Sequence, residues 1–121
     1  MTRSTRTVPT FRERATGAFL GLALGDRFGA PLEFLRGDAV QTTAVDVAKC
    51  TWTDDTHMSM YLAEAVLEVG KRFDADVFGH AVGGQFVRWL DDPLMPSTAP
   101  GNTCLAGAGN YRRSGDWTTS G

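Results

Sequence analysis

Two carboxylates and two hydroxyls fall within four consecutive residues, Thr53-Asp54-Asp55-Thr56. Oxygen donors of this kind are hard ligands, suited to Mg²⁺ or Mn²⁺ rather than to zinc. The same four residues also read as a helix start, because threonine is a favoured N-cap and acids in a first turn are stabilised by the helix dipole. Facing separates the two readings. Asp54 and Asp55 precede Met58 by four and three residues, so on a helix they stand above the apolar stripe that Met58 begins. Paired acids directed inward ask for a cation.

A second group is the run Gly17-Ala18-Phe19-Leu20-Gly21-Leu22-Ala23-Leu24-Gly25-Asp26-Arg27-Phe28-Gly29-Ala30-Pro31-Leu32-Glu33. It is not a P-loop, since no Gly-Lys-Ser/Thr follows, and not a dinucleotide fingerprint, since no strand precedes it. Gly17, Gly21, Gly25 and Gly29 recur every fourth residue. Each glycine inside a helix costs about 1 kcal/mol against alanine, so close approach of another backbone is the expected compensation. A tightly packed helix followed by a turn accounts for the glycines but leaves Asp26 and Glu33 unexplained. Asp26 follows Leu22 by one turn, on the same apolar side, where a carboxylate needs partners or a metal.

The elements that must position these groups are all helical. Phe11, Ala15, Ala18, Phe19 and Leu22 share one face of a helix over residues 11–28, with Thr10 as its cap. Pro31 marks its exit, and residues 35–52 show no sustained period and read as a loop. Met58, Tyr61, Leu62, Ala65 and Val69 then make the stripe of a helix that Thr53 opens and Gly70 ends. Asp74 caps a third helix over residues 75–90, with Phe78, Val82, Phe86 and Trp89 inward, Gly83-Gly84 in its middle and Pro93 beyond its end. Residues 91–102 hold three prolines and read as an extended surface loop; a glycine-weakened fourth helix covers about residues 103–113. No stretch alternates with the period of a strand.

Composition narrows the function classes. The 121 residues are 42% hydrophobic, ordinary for one small globular domain that buries a core. Twelve Lys+Arg against 14 Asp+Glu leave a formal charge of -2, which gathers no polyanion, so nucleic acid is not an expected partner. Cys50 and Cys104 belong to no CxxC or Cys/His cluster, which argues against zinc and against a disulfide framework, and fits a reducing cytoplasm. The most apolar stretch, residues 18–25, is far shorter than the ~20 residues of a membrane span. Residues 1–9, rich in Thr and Arg, read as a flexible tail, and residues 10–121 as a partial domain.

The pattern Gly-Ala-x-x-Gly-x-Ala-x-Gly-Asp-x-x-Gly-x-Pro-x-Glu, followed by Thr-Asp-Asp-Thr, resembles the two N-terminal signatures of the ADP-ribosylglycohydrolase family, which includes dinitrogenase reductase activating glycohydrolase. Residues 86–89 and Pro100-Gly101-Asn102-Thr103 are similar to that family as well, so the likeness covers most of residues 14–113. The resemblance implies the N-terminal portion of an orthogonal all-α bundle with a two-metal centre of Mg²⁺ or Mn²⁺. It implies a hydrolase that removes ADP-ribosyl groups from modified proteins or small molecules. Carried over position by position, Thr53, Asp54 and Asp55 would be metal ligands, Glu33 the catalytic acid/base, and Gly101, Asn102 and Thr103 a loop near the ADP-ribose. The family's C-terminal Asp-x-Asp-Thr does not occur in this sequence. Asp74-Ala75-Asp76-Val77 lacks its threonine and reads as an ordinary N-cap.

Arg27 stands where a small residue is common, and Ala99-Pro100 where some relatives place an acid, which leaves Asp92 or Glu33 as nearby catalytic carboxylates. His57 reads as a partly exposed first-turn histidine, His80 as a helix-surface residue and Trp52 as a core-packing ring that could stack on adenine. A catalytically silent helical module of the same fold is the competing reading, and helices cut from a larger bundle would expose apolar faces and oligomerise.

Overall fold

Five α-helices joined by short turns make up the computed structural model, which describes residues 8–46, 48–71 and 73–121. They are α1 (Phe11–Gly29), α2 (Asp38–Thr42), α3 (Asp54–Val69), α4 (Ala75–Leu90) and α5 (Asn102–Ser114). Single 3₁₀ turns cover Ala30–Leu32, Met95–Thr98 and Trp117–Thr119. No strand occurs among the described residues, and the fold is all-α. No helix among them is long and apolar enough to cross a membrane. Most of the expected tail, residues 1–7, lies outside the described residues.

The caps follow from local chemistry. The Thr10 hydroxyl accepts the Glu13 N–H at 3.2 Å while the Glu13 carboxylate accepts the Thr10 N–H at 2.7 Å, a reciprocal pair that satisfies two otherwise orphaned donors of α1. Asp74 takes the N–H groups of Asp76 and Val77 at the start of α4. Gly70 closes α3 at a φ of 59°, a conformation costly for any residue with a Cβ. Two segments expected to be loops contain helical turns. In residues 35–52, α2 forms behind Gly37, and Thr42 and Thr43 bond back to the carbonyls of Asp38 and Ala39. Residues 91–102 tighten into the turn Met95–Thr98, with Thr98 buried.

The core lies between α3, α4 and α5, with α1 resting on α3. Ala65 and Val69 of α3, Trp89 of α4 and Ala108 of α5 are buried, as the stripes on α3 and α4 predict. Gly83 lets α4 and α5 come close: a Cβ there would run into the ring of Tyr111, whereas one on the next residue, Gly84, would meet nothing within 4 Å. These neighbours should therefore respond with opposite signs to alanine. Gly83→Ala forces overpacking and is expected to destabilise by about 1–3 kcal/mol. Gly84→Ala, exposed in mid-helix, is expected to stabilise by up to ~1 kcal/mol. Urea melts of the two variants decide it, and equal signs would contradict the α4–α5 contact.

The glycines of α1 do not behave as expected. A Cβ at Gly17, Gly21, Gly25 or Gly29 would meet nothing within 4 Å, so among the described residues no backbone approaches them. The face made by Phe11, Ala15, Ala18, Phe19 and Leu22 does turn toward Leu62 and Val66 of α3, but the groove between them stays open, with a volume of about 460 Å³. Phe11, Leu20, Leu24, Phe34 and Leu67 are exposed. Exposed apolar side chains in this number drive association. The 121-residue chain by itself is expected to bind ANS and to sediment as oligomers at micromolar concentration; a monodisperse, ANS-dark monomer would contradict this.

Candidate functional site

The N-terminus of α3 is the meeting point of two helices. Its first N–H groups need acceptors, and a neighbouring carboxylate supplies them from α1. Asp26 Oδ2 accepts the backbone N–H of Thr53 at 2.7 Å and of Thr56 at 3.2 Å, and the Thr56 hydroxyl at 2.5 Å. Asp26 Oδ1 accepts the Thr53 hydroxyl at 2.6 Å. These are the N-cap and third-residue donors that a capping box satisfies, here served in part by an acid 27 residues away in sequence. Partial burial pushes the Asp26 carboxyl up, but the bonds from Thr53 and Thr56 outweigh it and hold the group below its ordinary value. The acid that the sequence placed on an apolar side thus has four donors.

Thr53 keeps its own capping role, its hydroxyl accepting the Asp55 N–H at 3.3 Å. An open cleft of about 560 Å³ begins at this point, and Asp26, Glu33, Thr53, Asp55 and Ser59 line it together with Leu22, Gly25, Gly29 and Ala30. The turn Ala30–Leu32, with Pro31 in its first positions, carries Glu33 around to the same opening. Glu33 and Asp55 are both exposed. Asp54 is half-buried and faces another way, its carboxylate accepting the Gly101 N–H at 3.1 Å. The acidic pair is therefore split: Asp55 opens on the cleft and Asp54 ties α3 to the start of α5.

Gly101 precedes α5 as its N-cap residue, with Asn102 beginning the helix. Neither lines the cleft, and Thr103 lines a different, apolar groove between α4 and α5. Of the predicted residues, the fold brings Glu33, Thr53 and Asp55 together, links Gly101 to them through Asp54, and leaves Asn102 and Thr103 apart. Ser59 was not anticipated. Its position four residues after Asp55, one turn along the same face, is the signal that would have found it.

His57 departs from expectation: it is 3% exposed rather than partly open. The segment after α4 folds back so that Asp92 Oδ2 sits 3.1 Å from His57 Nε2 and accepts the Tyr61 hydroxyl at 2.7 Å. Trp52 and Tyr61 set their rings edge-on to the imidazole at 5.4 and 5.5 Å. The Tyr61 hydroxyl and the Leu94 N–H lower the Asp92 carboxyl, and the same bond raises the Tyr61 phenol. Asp92 does not line the cleft; it pins the segment that leads to Gly101. His80 lies on the surface as expected, its Nδ1 2.9 Å from the Tyr111 hydroxyl.

Hard oxygen donors, with neither thiol nor imidazole, line the cleft, so its donor chemistry fits Mg²⁺ or Mn²⁺ in kind. Among the described residues, however, no three His, Cys, Asp or Glu side chains gather closely enough to hold a metal ion.

The all-α scaffold thus presents acids and hydroxyls from two helices to one cleft. The chain belongs to the ADP-ribosylglycohydrolase family, whose model matches residues 7–121. It is 35% identical over 124 residues to the ADP-ribosyl-[dinitrogen reductase] glycohydrolase of Rhodospirillum rubrum, covering 93% of this chain and 39% of that protein. It is 41% identical over 83 residues to the ADP-ribosylarginine hydrolase Tri1 of Pseudomonas putida (strain GB-1), covering 64% of this chain and 21% of that protein. A protein of Archaeoglobus fulgidus is 29% identical over 120 residues, 90% of this chain and 37% of that protein. The chain thus spans well under half the length of these relatives. No solved structure matches it significantly.

Proposed function

We propose that this chain contributes part of the active-site cleft of a metal-dependent hydrolase that removes ADP-ribosyl groups from modified proteins or small molecules, cutting the N- or O-glycosidic bond at ribose C1. The observation that carries the reading is the convergence of Glu33, from the turn that follows α1, with Thr53 and Asp55 from the start of α3 on one cleft. The names of the relatives support the substrate class.

Thr53, Asp54 and Asp55 are the residues that would hold Mg²⁺ or Mn²⁺, Asp54 by turning from the Gly101 N–H. The bound cation supplies positive charge that orients ribose hydroxyls and water. Glu33 does the proton work. Cleavage at C1 passes through an oxocarbenium-like state, which favours a carboxylate that takes a proton from the attacking water and returns one to the departing nitrogen or oxygen. It is exposed and lines the cleft. Gly101, Asn102 and Thr103 are proposed to approach the ADP-ribose once a substrate spans the region between cleft and α5.

A second reading, a catalytically silent module of the same fold, is favoured by the spacing of the acids, no three of which gather closely enough to hold a metal ion among the described residues. Calorimetry with Mg²⁺ and Mn²⁺, followed by assay of ADP-ribose release from ADP-ribosylarginine, separates the two. Binding with turnover supports the hydrolase, binding without turnover the silent module, and neither binding nor turnover a helical interaction module with no site.

A further inference from the structure

We infer that Asp26 is a positioning residue of the cleft: by taking the hydrogen of the Thr53 hydroxyl, it sets the direction of that oxygen's lone pairs and readies Thr53 to ligate a divalent cation. This role rests on the metal-site reading above. A hydroxyl has one hydrogen and two lone pairs. The hydrogen is committed to Asp26 Oδ1 at 2.6 Å, and the Asp55 N–H engages one lone pair at the longer distance of 3.3 Å. The oxygen that remains available belongs to a residue lining the cleft. Were the hydroxyl free to rotate, it could present its hydrogen to the cation instead of its lone pair.

Asp26 itself is poorly placed as a ligand, because Oδ2 already receives three donors from Thr53 and Thr56. Those three bonds hold the carboxylate still while its other oxygen orients the hydroxyl. Carboxylates that orient ligands without touching the metal have this arrangement, and replacing them costs about 10–100-fold in metal affinity.

Asp26→Asn tests the role directly. The amide oxygen can keep the three bonds made at Oδ2, which puts its NH₂ against Thr53 and turns the hydroxyl from donor into acceptor. The expected result is a folded helical chain whose Kd for Mn²⁺, by calorimetry on the 121-residue protein, rises ~10–100-fold. Asp26→Glu, which keeps the charge but displaces the carboxylate by one methylene, is expected to show the same loss and serves if the first variant does not fold. Thr10→Ala strips the cap of α1 away from Asp26 and Thr53, and should lower the melting temperature while Mn²⁺ affinity stays within about threefold. Equal affinity in wild type, Asp26→Asn and Asp26→Glu would overturn the positioning role alone. Failure of the unsubstituted chain to bind Mn²⁺ would overturn the metal reading, and this role with it.

Discussion

Replacing Glu33 by Gln is expected to slow ADP-ribose release from ADP-ribosylarginine by about 10²–10⁴-fold in a protein that carries this chain and turns over. The amide has nearly the shape of the carboxylate but cannot accept and return a proton, so the loss should fall on kcat and leave KM within a few-fold. Glu33 is exposed, and its replacement is expected to leave the melting temperature unchanged. Steady-state kinetics beside a thermal melt therefore separates a chemical role from a structural one. Retention of the hydrolysis rate to within threefold would remove Glu33 as the acid/base. The proposed proton transfer would then pass to Asp55, the other exposed acid that lines the cleft.

Asp26→Ala should produce the largest loss of stability of any substitution considered. It deletes the acceptor of four bonds and leaves Thr53 and Thr56 with donors that α3 cannot satisfy internally. Bonds to a charged acceptor are worth roughly 1.5–3 kcal/mol each, but those sharing one carboxylate do not add, and solvent can reach part of the site. A total of about 2–4 kcal/mol, or roughly 10 °C in Tm for a chain of this size, is expected.

The same group fixes a pH dependence. Its folded-state pKa lies below the ordinary value of 3.8, so the unfolded chain binds the proton more readily. The stabilisation is therefore complete above that ordinary value and is lost as pH falls through the lower folded value. Asp92 and Asp116 are lowered as well, which adds to the acid slope. Melts between pH 7 and pH 2 should show stability falling below about pH 4, with a shallower fall in Asp26→Ala. An identical slope in the variant, or a Tm within 2 °C of wild type, would mean that the link between α1 and α3 does not persist in solution.

Both predictions turn on residues that were visible early but understood unequally. Thr10, Asp74 and Gly70 mark helix ends through chemistry confined to neighbours, so α1, α3 and α4 were legible from their caps and apolar spacing, and the signatures resembling the family's pointed to Glu33, Thr53, Asp54 and Asp55. α2 escaped because five residues carry too little periodicity to stand out from a loop. His57 was misjudged as partly exposed because its cover, Asp92, arrives from 35 residues away.

What one stretch of chain could determine alone was the kind of element and the kind of chemistry: helices from periodicity, hard oxygen donors from residue type. Partnership was decided only in three dimensions. Nothing in the spacing of Asp26 says that it meets the head of α3, that Asp54 turns to Gly101 while Asp55 opens on the cleft, or that the α1 glycines face empty space. The physical reason is range. Caps and stripes depend on residues three or four positions apart, whereas the cleft is made by carboxylates and donors about thirty residues apart, whose meeting depends on how α1 packs against α3.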